Sequence, residues 1–145
     1  MYDIRCGGPD VSLVVVALAV VGAHLSGMAL NHELTSRGAT FVRATTTASE
    51  YRLYALPGGP PHRPGLVRAK GGAAVAVEIW GMAPAALGDF VAAIPSPLGI
   101  GTLKLADDST VKGFLCEQVA TEGARDITSY GGWRAYAASL GKAAS

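Results

Sequence analysis

The sequence predicts an α+β domain: a mixed sheet curled toward a small barrel, with short helices at its periphery. Three observations point there. Apolar runs, six or seven of them, alternate with glycine- and proline-rich turns. Apolar residues fall at helical spacing in only about three short segments. The length of 145 residues, half of them hydrophobic and 16% charged, suits one compact domain. Such a chain buries roughly 70% of its unfolded surface and needs no disulfide or metal staple. Residues 1–10 read as a polar lead-in and residues 11–145 as the single domain.

Twelve basic residues against eleven acidic ones leave a net charge of +1 with no basic stripe, so nucleic acid is not an expected partner. Cys6 and Cys116 lie far apart, which excludes zinc ribbons and redox pairs. Two isolated thiols suit a reducing compartment, and the expected location is the cytoplasm. The most apolar stretch, residues 11–21, is short of the roughly 20 residues that span a bilayer. Asp3, Arg5 and Asp10 precede it, where a signal peptide needs a positive lead. No membrane partner is expected.

Leu13, Val14, Val15 and Val16 form a run rich in β-branched residues, so residues 13–21 read as a strand buried on both faces. Residues 22–27 are a small-residue turn around His24. Leu30 and Leu34, four apart, mark a short helix over residues 30–37, and Gly38 ends it. Residues 39–47 and 51–56 read as strands. Residues 57–65 hold four prolines, which remove backbone donors, and read as an exposed loop. Residues 66–69 and 73–82 read as a hairpin across Lys70, Gly71 and Gly72. In its second arm Val75, Val77 and Ile79 alternate with Ala76, Glu78 and Trp80. Pro84 suits the first turn of a helix whose stripe is Leu87, Phe90, Val91 and Ile94, stopped by Pro95 and Pro97. Residues 101–105 and 111–117 read as a second hairpin. Trp133, Tyr136, Ala137 and Leu140 read as a last helix ending at Gly141.

Most catalytic signatures are missing. Gly141-Lys142 lacks the hydroxyl that ends a phosphate loop, and Gly99-Ile100-Gly101 follows prolines where a dinucleotide site needs a strand. There is no nucleophile elbow. His24, His32 and His62 form no metal-ligand spacing, so neither a metal nor an organic cofactor is expected. What remains is His24, set in a turn that follows a buried strand. Amide hydrogens of such a turn can converge on an anion, and a following helix can add its positive end. An imidazole there can give or take a proton near neutral pH. It also reads as a satisfied polar side chain at a strand end.

The runs VVGAHLSGMALNHEL, YRLYALPG, VEIWGM, IPSPLGIGTLKLADDSTVKGFLCE and ARDITSYGGWRAY follow one another between residues 13 and 138. Together they resemble the C-terminal domain of allophanate hydrolases, which is itself similar to the γ-glutamylcyclotransferase fold. The resemblance implies that Gly22, Ala23, His24 and Leu25 match the turn that cradles a substrate carboxylate in cyclotransferases. It further implies that His24 is the catalytic residue, removing carbon dioxide from the N-carboxylated carbamate that the family's amidase domain leaves behind. Cyclotransferases carry a catalytic glutamate soon after the helix that follows the VEIWGM-like strand. Here Ile94-Pro95-Ser96-Pro97-Leu98-Gly99 stands there without a carboxylate, which argues against cyclotransferase chemistry.

Leu98, Gly99, Ile100 and Gly101, in the loop that replaces that acid, are expected to line the pocket. Tyr51 and Tyr54 are placed on one face of a strand, with the Tyr51 phenol a candidate ligand contact. Arg43 and Arg52 are candidates for a dianion, and Trp133 and Arg134 read as a helix cap and core anchor. The expected partners are a small carboxylate and an amidase, as parent chain or neighbour; a homodimer is an option. The leading expectation is a lyase-like decarboxylating domain of urea degradation. The alternatives are a non-catalytic carboxylate-binding or assembly module, and residual cyclotransferase activity.

Overall fold

The computed structural model describes residues 15–144, so the lead-in, Cys6 and the start of the expected first strand lie outside the described residues. In chain order the elements are β1 (Val16–Val20), α1 (His32–Thr35), β2 (Thr40–Thr46), β3 (Tyr51–Ala55), β4 (Pro64–Arg68), β5 (Ala76–Met82), α2 (Pro84–Ala92), β6 (Leu98–Lys104), β7 (Thr110–Cys116), β8 (Arg125–Asp126) and α3 (Trp133–Ala144). Short 3-10 turns lie at Gln118–Thr121 and Thr128–Tyr130.

The valine- and leucine-rich β1 takes the centre of a five-stranded mixed sheet ordered β2-β5-β1-β7-β6. It runs antiparallel to β5 and parallel to β7. Leu18, Ala19 and Val20 are buried, while Ala17 and Val15 before them are exposed, so the expected burial on both faces holds only for the second half of the strand. Close approach of β1 to β7 requires Gly113, because a Cβ there would sit 2.9 Å from that of Ala19. A second sheet, ordered β4-β3-β8, contributes Tyr51, Leu53 and Leu66 to the same core.

The chain is therefore a mixed α+β fold, but neither sheet closes into a barrel. The edge strands β2 and β6 touch at their ends through the Thr47–Leu105 bridge, and no ladder joins them.

Four further expectations are corrected. The hairpin over residues 66–82 does not form: β4 pairs with β3, and β5 leaves for the other sheet to pair with β1 and β2. Gly72 allows the crossing, since a Cβ there would meet the backbone of Tyr51 at 2.5 Å. Pro64 and Gly65 belong to β4 instead of the loop, because Pro64 opens the strand, a position that tolerates a missing donor. Leu98 to Ile100 are strand, paired with Cys116 to Phe114, because β7 extends far enough to complete their ladder. Helix α3 continues past Gly141, so that glycine does not terminate it.

Candidate functional site

Strand β1 ends at Val20, and the next residues fold into successive tight turns. The Leu25 amide donates to the Gly22 carbonyl (3.0 Å), Met28 to Leu25 (2.9 Å) and Leu30 to Ala23 (2.8 Å). Small residues make this path available. At Gly22 a Cβ would lie 2.2 Å from Pro64 Cδ, so the turn packs against the start of β4 without clearance for a side chain. The expected small-residue turn is present, and Gly22, Ala23, His24 and Leu25 are all buried in it.

The turns return the chain so that α1 lies over His24. Its Nε2 is 2.7 Å from Glu33 Oε1. A carboxylate accepts only, so Nε2 carries the proton and Nδ1 is the nitrogen left to exchange one. No hydrogen bond to Nδ1 occurs among the described residues. The Asn31 side chain donates to the His24 carbonyl (2.8 Å) and fixes the backbone beneath the ring. Phe114 stacks on the imidazole at 5.1 Å between ring centres, and Phe90 of α2 meets it edge-on at 5.1 Å.

These walls leave His24 8% exposed. Burial pushes the imidazole below its ordinary value of 6.5, against the opposing hydrogen bond and charge of Glu33; the Arg63 and His32 charges add to the lowering. The free ring is accordingly biased toward the neutral form near pH 7.

Glu33 was not among the residues singled out from the sequence. A signal was present: it is the only acidic residue between Asp10 and Glu50. What hid it is the nine-residue separation from His24, which becomes contact only through three consecutive turns.

The amides of Leu25 and Ser26 are engaged internally, Ser26 with the Glu78 carboxylate at 2.8 Å. Those of Gly22, Ala23 and His24 make no hydrogen bond among the turn and loop bonds of the described residues. Helix α1 has four residues and the Leu30 amide is used within the turn, so the expected helix-end contribution does not enter.

The other candidates are dispersed. Leu98, Gly99, Ile100 and Gly101 line a groove of about 400 Å3 with Leu115 and Cys116. Their link to His24 runs through Phe114, the register partner of Ile100. Leu98 also borders a cavity of about 350 Å3 shared with Pro97, the proline loop and Arg63. Arg43 pairs with Asp107 (3.8 Å) and Arg52 with Asp126 (3.3 Å), so both are committed at the surface. Tyr51 and Tyr54 do not share a face, because three residues along a strand is an odd step. Tyr51 points into the core with Leu53 and is fully buried, its hydroxyl accepting from the Lys104 amide at 2.9 Å. Tyr51→Phe is expected to cost about 1 kcal/mol of stability, measured by urea unfolding, and to leave the affinity for a small dicarboxylate unchanged. Trp133 is buried in the core as expected of an anchor, while Arg134 reaches Ser26 and Glu78.

No helix among the described residues is long and apolar enough to cross a membrane.

Comparison with known proteins identifies the family and the fold. The family model described as "Allophanate hydrolase C-terminal domain" matches residues 16–138. The urea amidolyase of Saccharomyces cerevisiae is 40% identical over 135 residues, covering 89% of this chain and 7% of that protein. The allophanate hydrolase structure of Kluyveromyces lactis superposes with a TM-score of 0.85 at 38% identity, covering 92% of this chain and 23% of that one. A γ-glutamyl cyclotransferase structure, at 12% identity and a TM-score of 0.54 over 78% of this chain and 70% of that one, shares the fold. The chain thus spans a small part of the length of the urea amidolyase and the allophanate hydrolase that it matches. By the family match over residues 16–138, the chain belongs to the allophanate hydrolase C-terminal domain family.

Proposed function

We propose that this domain binds an N-carboxylated carbamate and promotes its decarboxylation, with His24 as proton donor, working on the product of an amidase in the same or a neighbouring chain. The observation that carries the reading is the His24–Glu33 pair. Glu33 fixes the imidazole so that Nδ1, and not Nε2, is the exchanging nitrogen.

The substrate is a dianion with two carboxylates on one nitrogen. Backbone amides of the turn at Gly22, Ala23 and His24 would hold one carboxylate in the manner of an anion nest. Bringing negative charge beside the buried ring favours imidazolium, which offsets the lowering due to burial. The N–C bond to the departing carboxylate then breaks, its electron pair moves onto nitrogen, and the Nδ1 proton follows. The products are carbon dioxide and carbamate, and neutral His24 regains its proton from solvent. Protonation matters because a neutral amine nitrogen is a far better leaving group than an amide anion. The apolar walls of Phe90 and Phe114 keep the charged pair from being screened by water.

The test supplies the substrate in situ from an allophanate-hydrolysing amidase and follows carbon dioxide against ammonia at mildly alkaline pH. Acceleration of carbon dioxide release by this chain supports the reading; equal release with and without it removes the reading. A proton donor whose free pKa lies below 6.5 makes kcat/KM fall about tenfold per pH unit above that midpoint. A flat profile from pH 6 to 8 would contradict the assignment.

A second reading is a binding-only carboxylate module. It is favoured by the same depressed pKa, since neutral imidazole is a poor acid. It requires ligand binding without acceleration.

A further inference from the structure

We propose that Glu78 is a positioning residue for His24, its buried carboxylate on β5 holding the turn in place through Ser26. The consequence for catalysis rests on the decarboxylation reading above; the geometry does not.

Glu78 is 8% exposed, and its two oxygens are fully engaged. Oε1 accepts from the Ser26 amide at 2.8 Å and from Trp80 Nε1 at 3.1 Å. Oε2 accepts from Ser26 Oγ at 2.8 Å and from Arg134 at 3.0 Å. The same guanidinium donates to the Ser26 carbonyl at 3.0 Å. Burial alone would raise this carboxyl, but the bonds from Ser26 and Trp80 and the Arg134 charge outweigh it and hold the group below its ordinary range.

Three chain segments distant in sequence meet here: the turn after β1, the middle of β5 and the first turn of α3. They lie in three of the runs that carry the family resemblance, GAHLSG, VEIWGM and GGWRAY. Packing does not require an ion at this place. Glu78 is buried while its Arg134 partner is half exposed, and an ion pair of that kind adds little stability, so a fixed geometry is the better account of it. Ser26 lies two residues from His24, and on the other side Asn31 and Leu30 tie the carbonyls of His24 and Ala23. The turn is thus pinned at both ends. Glu78 holds the end that the Glu33 pair cannot reach, through the Ser26 amide and hydroxyl.

The test uses Glu78→Gln and Ser26→Ala. Glutamine matches the carboxylate in size but turns a donor toward Ser26 Oγ or Arg134. Ser26→Ala removes the hydroxyl's bond to Oε2 and the one it accepts from Arg134, and leaves the amide bond to Oε1. Two readouts are taken: kcat/KM for carbon dioxide release, and the His24 imidazole followed through its titration by nitrogen NMR. Glu78→Gln also removes a charge near the turn, so Ser26→Ala, which changes no charge, shows whether a displaced His24 midpoint comes through the turn. Expected are a cooperative melt, kcat/KM lowered about tenfold (about 1.4 kcal/mol of barrier), and a His24 midpoint displaced from wild type. Ser26→Ala moves both readouts in the same direction and less far, and it decides the matter if Glu78→Gln does not fold. A lower rate with an unchanged His24 titration, or no change in either, overturns the proposal. If the wild type shows no decarboxylation, the functional reading fails while the NMR readout still decides the positioning role.

Discussion

His24→Ala is expected to return carbon dioxide release to the unaided rate, a loss of about 10²- to 10⁴-fold, the usual worth of a positioned general acid. The measurement is the ratio of carbon dioxide to ammonia with an amidase feeding the domain. Glu33→Gln separates proton supply from ring orientation. Glutamine can still accept from Nε2, so the ring stays oriented, but the counter-charge that supports imidazolium is gone. Burial, already the dominant influence on His24, is then less opposed, and the midpoint falls further below 6.5. The rate of Glu33→Gln should therefore be low at pH 8 and recover as pH falls, whereas His24→Ala stays inactive at every pH. Equal and pH-independent losses in the two variants would mean that Glu33 does no more than hold the fold.

Gly22→Ala is expected to be the most damaging single methyl in the turn. Its Cβ would stand 2.2 Å from Pro64 Cδ and 2.4 Å from Cγ. A pyrrolidine ring has no rotamer with which to retreat, and Pro64 is held in the β3–β4 ladder opposite Ala55. Relief has to come from moving the turn, which breaks the Leu25-to-Gly22 bond and displaces the amides beside His24. Overpacking of this kind costs about 3 kcal/mol, read as a drop of roughly 10 °C in the melting temperature for a domain of this size. Gly27→Ala provides the contrast: a Cβ there meets nothing within 4 Å, and the cost comes from its φ of +79° alone. If the two variants melt alike, steric contact with Pro64 is not what fixes the turn.

Much of the fold was legible locally. A strand rich in β-branched residues, a helix opened by Pro84 and stopped before Pro95, and the β6–β7 hairpin follow from propensity and turn chemistry that neighbouring residues settle among themselves. The errors were of another kind. Adjacent segments 66–69 and 73–82 read as a hairpin, yet β4 and β5 take partners in different sheets. Nothing in their own residues encodes that choice. Likewise, Leu98 to Ile100 look like loop until β7 supplies the ladder that makes them strand.

The candidate site divides along the same line. By itself the sequence determined that an imidazole would sit in a small-residue turn behind a buried strand, because apolar run, glycines and histidine are contiguous and their effect is local. Only the tertiary structure decided the ring's partners. Glu33, Phe90 and Phe114 arrive from three separate elements, and Glu78 and Arg134 reach the far end of the turn from β5 and α3. Desolvation, stacking and charge act through distances in space, and those distances are set by how the turns and strand pairings bring these elements together.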